Sequence, residues 1–287
     1  MAQDERTWEA GERRRLQLLT WPDIEEYLQS SRSILIPIGS TEQHGPTGLL
    51  GTDALCPEVL SRGIAARTGA LIAPTLSIGM AQHHLGFPGS ISLRPSTLIA
   101  VVRDVVTSLA SQGFERFFFV NGHGGNIATL QAAFSEIHAD VSYGMQSNRP
   151  SLQFQLHSWW MMPSVRARSA ELFGEAEGSH VTCSEVSLTH FAHGPHMKSR
   201  PLSPKIAPKG PIGDSGISVR ASPTAVSAPT PRSPMRRPAR RSTRPRWRTS
   251  ARPGRNLPRP PDRDRVVLGF CIHGKRSARG LPDPSLL

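Results

Sequence analysis

Short, purely apolar runs alternate along the chain with longer segments in which apolar residues recur every three or four positions. The runs at residues 34–38, 70–73 and 117–120 lack polar alternation, which is typical of strands covered on both faces. Three longer segments, at residues 53–68, 96–112 and 127–137, have the pattern of helices, and a capping Thr20 followed by an early proline predicts a further helix at 20–28. This order of strands and helices predicts a three-layer α/β/α sandwich with a largely parallel sheet.

Polar segments with chemically active side chains follow two of the predicted strands. Residues 39–46 follow the first strand, and residues 121–126 (Asn-Gly-His-Gly-Gly-Asn) follow the third. Because open α/β sheets bind ligands beyond the carboxyl ends of their strands, both segments lie where a site is expected. Residues 178–185 add another His and Glu, five residues apart.

These segments together contain a plausible set of metal ligands. The set comprises two imidazoles and three carboxylates, namely Glu42, His44, Asp53, His123 and Glu185. It suits Zn²⁺ or Mn²⁺ and not a soft thiolate site. Glu42 and His44 are two residues apart, so their side chains point to the same side of an extended segment. Gly124 and Gly125 let the backbone approach a ligand closely and leave room for a substrate.

Each segment also has a simpler interpretation. In a chain with 11 histidines, an isolated one is more often a surface or hydrogen-bonded residue than a ligand, and the loop at 121–126 could be only a turn. Three such segments, two of them directly after predicted strands, favour a site.

Two further positions can contact a substrate. His84 precedes Phe87-Pro88-Gly89 and is a candidate for lining the pocket, with a structural role as the alternative. Trp159, with Trp160 beside it, can flank a planar substrate, although core packing is the more common use of such side chains. His83 is interpreted as a surface residue or as local structure.

Five segments, taken in order, resemble the motifs of the creatininase (creatinine amidohydrolase) family. They are Gly39-Ser-Thr-Glu-Gln-His-Gly-Pro46, Gly51-Thr-Asp53, His84-Leu-Gly-Phe-Pro-Gly89, Asn121-Gly-His-Gly-Gly-Asn126 and His180-x4-Glu185. The resemblance covers roughly residues 15–213. It implies an α/β/α fold, a site for two divalent cations, hydrolysis of a C–N bond, often in a cyclic amide, and a homo-oligomer, often a hexamer.

The resemblance also implies roles for individual residues. The metal ligands would be Glu42, His44, Asp53, His123 and Glu185, holding Zn²⁺ and/or Mn²⁺. Asp53 would bridge the two cations, and His180 would be the proton shuttle.

The chain departs from the family pattern in two places. Creatininase itself has a Glu where this chain has Gly125, and Glu185 is expected to provide the missing carboxylate. Thr47-Gly48 replaces the His-Leu that often follows His-Gly-Pro. Both departures point to a subfamily and weaken the inference that creatinine is the substrate.

The implied function is a metal-dependent amidohydrolase that acts on C–N bonds other than ordinary peptide bonds. A metal-activated water would attack a small cyclic amide, creatinine or a related compound. A mycofactocin-type peptide-releasing peptidase and a formamide hydrolase of the same family stay open as alternatives.

The net charge of +12 is unevenly distributed along the chain. Residues 216–287 contain 17 Lys or Arg and 3 Asp or Glu, whereas residues 1–215 contain 17 and 19. The last segment also contains 12 of the 26 prolines, a composition that buries too little apolar surface to offset the entropy of ordering. We therefore predict an amidohydrolase domain at 1–215 and a disordered Arg/Pro-rich tail at 216–287.

Three interpretations of the tail compete. It binds nucleic acid or another polyanion non-specifically, it is an inert extension, or it is the out-of-frame translation of a GC-rich gene. The third is favoured because the resemblance stops near residue 213. In that case the domain at 1–215 is C-terminally incomplete, and an inactive product is a further alternative.

Several classes of protein are excluded. No apolar run approaches the ~20 residues of a membrane-spanning helix, and the charged N-terminus lacks the apolar core of a secretory signal. Cys56, Cys183 and Cys271 are far apart and predict neither a disulfide framework nor a Cys-based zinc site. These features predict a cytoplasmic protein with a small-molecule amide substrate and no membrane association.

Overall fold

A parallel sheet separates two layers of helices in the part of the chain that the structure describes. The structure is a computed structural model, and it describes residues 2–144, 151–196 and 198. The strands are β1 (Ser33–Ile38), β2 (Leu71–Ile72), β3 (Arg116–Asn121) and β4 (Gln153–Ser158), in the order β2-β1-β3-β4. The helices are α1 (Ala2–Glu12), α2 (Trp21–Ser30), α3 (Thr52–Thr68), α4 (Pro95–Ser111), α5 (Asn126–Tyr143), α6 (Pro163–Phe173) and α7 (Cys183–His193).

The three longer strands are in register over their whole length. β1 pairs with β3 from Ser33 and Arg116 to Ile38 and Asn121, and β3 pairs with β4 as far as Asn121 and Ser158. All pairs are parallel. The carboxyl ends of β1, β3 and β4 are therefore level, and the segments that follow them emerge side by side.

Successive residues of β1 and β3 point to opposite helical layers. One face, which includes Ile34, Ile36 and Phe119, packs against α4 and α5. The other face, which includes Leu35 and Phe118, packs against α3. Both faces are buried, and this explains why the strands show no polar alternation. The predicted three-layer α/β/α fold with a parallel sheet is confirmed.

A separate apolar cluster fixes α6 and α7 beside α3. Its buried members are Cys56, Val59, Trp159, Val165 and Leu188. They come from α3, α6, α7 and the short helical turn Trp159–Met161 that follows β4. This packing holds the start of α7 close to the start of α3, at the carboxyl edge of the sheet.

Some elements differ from the sequence-based prediction. β2 is limited to Leu71–Ile72, and α1, β4, α6 and α7 were not predicted. β4 has the sequence Gln-Phe-Gln-Leu-His-Ser, which lacks a continuous apolar run because the strand lies at an edge of the described sheet.

The predicted tail at 216–287, together with the domain boundary at 215, lies outside the described residues. In the ranges that are described, no helix combines the length and the apolarity that crossing a membrane requires.

Candidate metal centre and active site

The five predicted metal ligands come together at the carboxyl edge of the sheet. They lie after β1 (Glu42, His44), in the first turn of α3 (Asp53), after β3 (His123) and in the first turn of α7 (Glu185). All five are buried, with at most 9% of their surface exposed. Asp53 and Glu185 each lie at a helix N-terminus, where the helix dipole favours a negative charge.

A close backbone contact places α3 against the sheet. Pro57 has no N–H to bond the carbonyl oxygen of Asp53 one helical turn earlier, so that oxygen faces the loop after β3. A Cβ atom on Gly122 would lie 1.9 Å from this oxygen and 2.7 Å from Pro57 Cδ. Only glycine at residue 122 allows the loop that bears His123 to approach Asp53.

The two carboxylate oxygens of Asp53 face two different histidines. Oδ1 lies 3.0 Å from His44 Nε2, and Oδ2 lies 2.8 Å from His123 Nδ1. Two groups of ligand atoms, each within 4.8 Å of one another, therefore share Asp53. One group is Glu42, Asp53 and His123, and the other is His44, Asp53 and Glu185. This is the arrangement that a carboxylate bridging two cations requires.

Backbone carbonyl groups set the orientation of both histidines. His44 Nδ1 donates to the carbonyl oxygen of Glu42 (3.2 Å), and His123 Nε2 donates to that of Met80 (2.9 Å). Each imidazole thus presents its other nitrogen to Asp53. Metal-bound histidines usually donate one N–H to a carbonyl oxygen in this way, which leaves the second nitrogen for the metal. Asp53 Oδ2 is buried and has His123 Nδ1 as its ion-pair neighbour at 2.8 Å, without a hydrogen bond of good geometry from the described residues. A buried carboxylate oxygen facing an imidazole nitrogen in this way fits a cation between the two.

The electrostatics of the cluster also favour positive charge. Burial by itself would lower the pKa of His44, but Asp53, Glu185 and Glu42 outweigh it and raise the pKa to about 10. Burial would likewise lower the pKa of His123, but Glu42 and Asp53 outweigh it and raise the pKa to about 9. Without cations, protons on these imidazoles balance the carboxylates.

Glu185 is held by the start of its own helix. Its Oε2 accepts from the N–H of Thr182 (2.9 Å), while the Thr182 hydroxyl accepts from the N–H of Glu185 (3.2 Å). This capping box fixes the carboxylate at the helix end that faces Asp53. Burial raises the pKa of Glu185 to about 7, although His44 acts in the opposite direction.

Glu42 is oriented by two neighbours. The hydroxyl of Ser40 donates to Oε2, and His84 Nε2 lies 3.0 Å from Oε1. His84 is only 1% exposed. It was predicted to line the pocket, and in the structure it both lines the cavity and contacts a candidate ligand.

A cavity of about 700 Å³ opens over the cluster. Glu42, Asp53, His123, His180 and Glu185 form part of its lining, as do the predicted substrate-contact residues His84, Gly124 and Gly125. Trp160, Arg166 and Glu177 contribute to its other walls.

Trp159 does not line the cavity, so the structure shows the core-packing alternative for this residue and not the predicted contact with a substrate. Its side chain is 2% exposed and packs in the apolar cluster between α3, α6 and α7. The next residue, Trp160, lines the cavity and lies 4.0 Å from the position of a Cβ on Gly124. The two indole rings are almost perpendicular (84°), so the turn Trp159–Met161 directs one into the core and the other towards the site.

Gly125 is required by the position of its neighbours. A Cβ atom there would lie 2.5 Å from both His123 Nε2 and the carbonyl oxygen of Met80. It would disrupt the hydrogen bond that orients His123. The backbone therefore has no room for a side chain at this position, while the carboxylate of Glu185 lies within the group formed with His44 and Asp53.

The interpretation of His83 as a surface residue is wrong. His83 is 9% exposed, lines the cavity and stacks on His123 with ring centroids 5.7 Å apart. Burial and the neighbouring His84 and His123 lower its pKa to about 4. Its position next to His84 was the only sequence signal. Gln43 and Arg166 were likewise not predicted as site residues.

The fold and the site together define an α/β/α protein with a candidate two-cation centre at the carboxyl edge of a parallel sheet. A sequence model of the creatininase (creatinine amidohydrolase) family matches residues 17–241. The chain belongs to this family. The match extends to residue 241, so the expectation that the resemblance stops near residue 213 is wrong.

The relatives that match this chain include both peptide peptidases and a creatinine amidohydrolase. A mycofactocin precursor peptide peptidase of Mycolicibacterium smegmatis is 30% identical over 68% of this chain and 76% of its own length. A mycofactocin precursor peptide peptidase of Mycobacterium ulcerans is 36% identical over 42% of this chain. A creatinine amidohydrolase of Pseudomonas putida is 36% identical over 38% of this chain. The last two matches span about half of those relatives, 48% and 44%.

Solved structures show the same fold. A manganese creatininase superposes with a TM-score of 0.58 and 25% identity, over 70% of this chain and 81% of that one. A creatininase variant complexed with creatine has a TM-score of 0.57 and 22% identity, over 74% and 94%.

Proposed function

We propose that the protein is a metal-dependent amidohydrolase that cleaves a C–N bond of a small amide. The observation that carries this proposal is the pair of buried ligand groups that share Asp53 at the floor of a cavity. Family membership supports the reaction class, and the manganese creatininase of the same fold supports divalent cations.

The donor atoms divide between two cation positions. Glu42, Asp53 and His123 would hold one cation, and His44, Asp53 and Glu185 the other. Imidazole and carboxylate donors suit Zn²⁺ or Mn²⁺. When bound, such ions act as Lewis acids that polarise an amide carbonyl and lower the pKa of a water molecule towards ~7.

His180 has the environment of a proton shuttle. It is 8% exposed, lines the cavity, and its ring centroid lies 5.1 Å from that of His44. Burial and the neighbouring His44 and His84 hold its pKa well below the ordinary value of an imidazole. A neutral imidazole can accept a proton and pass it to the leaving nitrogen, which is a poor leaving group as an amide anion.

The substrate class has two candidates. The creatinine amidohydrolase relative supports a small cyclic amide such as creatinine. The M. smegmatis peptidase matches over a larger share of its length, and a cavity of about 700 Å³ is in the range of drug-sized ligands. These two observations favour peptide release as the second candidate.

The decisive experiment combines metal removal with a substrate screen. Purified protein is tested on creatinine, other small cyclic amides, formamides and short peptides, before chelation, after it, and after Zn²⁺ or Mn²⁺ is restored. We expect hydrolysis that disappears with the metal and returns with it. Activity that survives complete removal of metal would contradict the proposal.

The outcome of this screen and two further measurements separate the other interpretations. Metal binding without hydrolysis of any amide would support the inactive product. Salt-sensitive retention on DNA that is lost when 216–287 are deleted would support polyanion binding. The predicted homo-oligomer, hexameric by family resemblance, is checked by gel filtration.

A further inference from the structure

Two buried asparagine amides lie at the carboxyl edge of the sheet, on either side of the loop that bears His123. Asn121 is the last residue of β3, Asn126 is the first residue of α5, and both are 0% exposed. No role was predicted for either residue from the sequence. Their position makes them candidates for controlling how His123 is presented to a cation.

The Asn126 amide has three polar contacts, and one of them fixes which end is the oxygen. Its Oδ1 accepts from the backbone N–H of Met80 (3.0 Å). Because a backbone N–H can only donate, the NH₂ group must face the other way. It donates to the carbonyl oxygen of Gly39 (3.0 Å) and lies 3.4 Å from Asn121 Oδ1. This side chain therefore joins the end of β1, the end of β3 and the segment at Met80.

Asn121 holds the backbone of His123. Its Oδ1 accepts from the N–H of His123 (3.1 Å), and its Nδ2 donates to the carbonyl oxygen of the same residue (2.8 Å). Nδ2 also donates to Oγ of Ser158 (3.0 Å), at the end of β4. Both backbone polar groups of His123 thus contact one side chain that is itself attached to the neighbouring strand.

The contact with Met80 affects the ring of His123. The carbonyl oxygen of Met80 lies 2.9 Å from His123 Nε2, and Asn126 holds the N–H of Met80. Gly79 leaves room for this arrangement, since a Cβ atom there would lie 2.4 Å from Asn126 Oδ1. Asn126 therefore supports the backbone of His123 through Asn121 and the orientation of its ring through Met80.

These contacts lead to one of the two ligand groups. His123 belongs to the group that includes Glu42, whereas the other group includes His44 and Glu185. Different contacts orient those two residues, because the capping box of α7 holds Glu185 and the carbonyl oxygen of Glu42 accepts from His44. Loss of the Asn126 contacts should therefore affect the two cation positions unequally.

We propose that Asn126 is a positioning residue for the cation held by Glu42, Asp53 and His123, and that it acts by fixing His123. The inference rests on the two-cation centre of the proposed function, but it does not depend on which substrate is hydrolysed. The cation position at His44 is expected to be independent of this amide.

Asn126→Asp tests the inference with little change in shape. A carboxylate at residue 126 can still accept from Met80, and the N-terminus of α5 favours its charge. It cannot donate to the carbonyl oxygen of Gly39 or to Asn121 Oδ1. We expect the affinity for one Mn²⁺ per chain to fall about 10- to 100-fold and the affinity for the other to stay nearly unchanged. Calorimetric titration of the metal-free full chain with Mn²⁺ measures both affinities.

Electron paramagnetic resonance provides a second measurement. At an Mn²⁺ concentration that fills both positions of the parent, we expect the spectrum of an exchange-coupled pair in the parent and that of an isolated ion in Asn126→Asp. A general loss of structure would not select one position, so this result separates positioning from a purely structural role. Gln131→Glu makes the same change from amide to carboxylate at an exposed position on α5, and this control should bind Mn²⁺ like the parent.

A double variant identifies which position is affected. His123→Ala should itself retain one Mn²⁺, at the position with His44. Adding Asn126→Asp should then cause little further loss, because its route of action is gone. A further loss in the double variant would place the effect at the other position and contradict the inference.

Asn126→Ser covers the case in which Asn126→Asp does not fold. Serine is well tolerated at helix N-termini, but one hydroxyl cannot hold Met80, Gly39 and Asn121 together. We expect the same selective loss of one Mn²⁺. Far-UV circular dichroism of the metal-free variants establishes whether each of them is folded.

The outcomes are distinct. Folded Asn126 variants that bind two Mn²⁺ with the affinities of the parent overturn the inference, as does an equal loss of both ions. Failure of both variants to fold also overturns it, because the whole fold would then require the amide. A parent that binds fewer than two Mn²⁺ contradicts the two-cation centre and this inference together, whereas a parent that binds two but hydrolyses no amide contradicts only the proposed function.

Discussion

The interior of β1 and the loop that follows it are equally buried, yet they contain opposite kinds of side chain. Ile36 is 0% exposed, and so is His44, while Glu42 is 1% exposed. Burial of Ile36 stabilises the fold by removing apolar surface from water. Burial of the Glu42 carboxylate costs free energy that histidine protons or cations must offset. The comparison shows that the strands stabilise the fold and that the buried polar residues of the candidate site lie beyond their carboxyl ends.

The largest expected effect comes from Asp53→Asn, which changes the carboxylate at the centre of the candidate metal cluster. Asn has nearly the same size but lacks the charge that both ligand groups share. We expect metal content to fall for both positions and activity to fall by at least about 10³-fold, since each cation contributes several kcal/mol to catalysis. Metal analysis and kcat/KM measure this, with Asp104→Asn, exposed on α4, as the control. Two bound metals per chain in Asp53→Asn would contradict the shared ligand.

The second largest effect is expected from a substitution in the interior of β1, which should destabilise the fold but leave the metal cluster unchanged. Ile36→Ala creates a cavity between the sheet and α4 or α5, and we expect a loss of about 3 kcal/mol in the free energy of unfolding. Denaturant unfolding measures it, with Ile78→Ala, which is 37% exposed before substitution, as the control. The folded fraction should keep its metal stoichiometry. Loss of metal from folded Ile36→Ala would mean that the two regions are coupled.

The smallest effect is expected from Glu185→Gln. Unlike the loss of the apolar Ile36 side chain, the loss of this buried charge should stabilise the metal-free protein. Burial raises the pKa of Glu185 to about 7, so the ionised carboxylate destabilises the metal-free fold. This cost is absent below the ordinary pKa of 4.5 and complete above about 7. We expect Glu185→Gln to stabilise metal-free protein by about 1 kcal/mol at pH 8, and the gain to disappear as the pH falls towards 4.5.

Thermal unfolding at several pH values tests this, with Glu136→Gln, exposed on α5, as the control. The metal-loaded protein should show the reverse order, because Glu185→Gln removes a ligand. A Glu185→Gln variant that is less stable than the parent without metal at pH 8 would show that the carboxylate contributes to folding.

Much of the fold could be predicted because its signals are local. The apolar runs at 34–38 and 117–120 correspond to β1 and β3, and the segment at 96–112 corresponds to α4. A strand that is buried on both faces has apolar residues at every position, so its burial can be inferred from the sequence. β4 escaped prediction because an edge strand with mixed polarity resembles a loop.

The candidate ligands could also be placed in advance, although their contacts could not. Glu42, His44 and His123 follow strands, and parallel strands in register bring such segments to one edge. By contrast, Trp159 and Trp160 are adjacent and identical in type, and only the turn Trp159–Met161 separates a core residue from a cavity residue. The role of His83 depends in the same way on packing against His123.

The sequence by itself therefore determined the layers of the fold, the edge at which the site lies and the kinds of donor atom that gather there. These follow from periodicity and from the order of segments, which are properties of neighbouring residues. Only the tertiary structure decided that Asp53 faces two histidines, that Asn126 lies between Gly39 and Met80, and that Gly125 has no room for a side chain. Those facts are distances between segments far apart in the chain, and they exist only once the helices and the sheet have packed together.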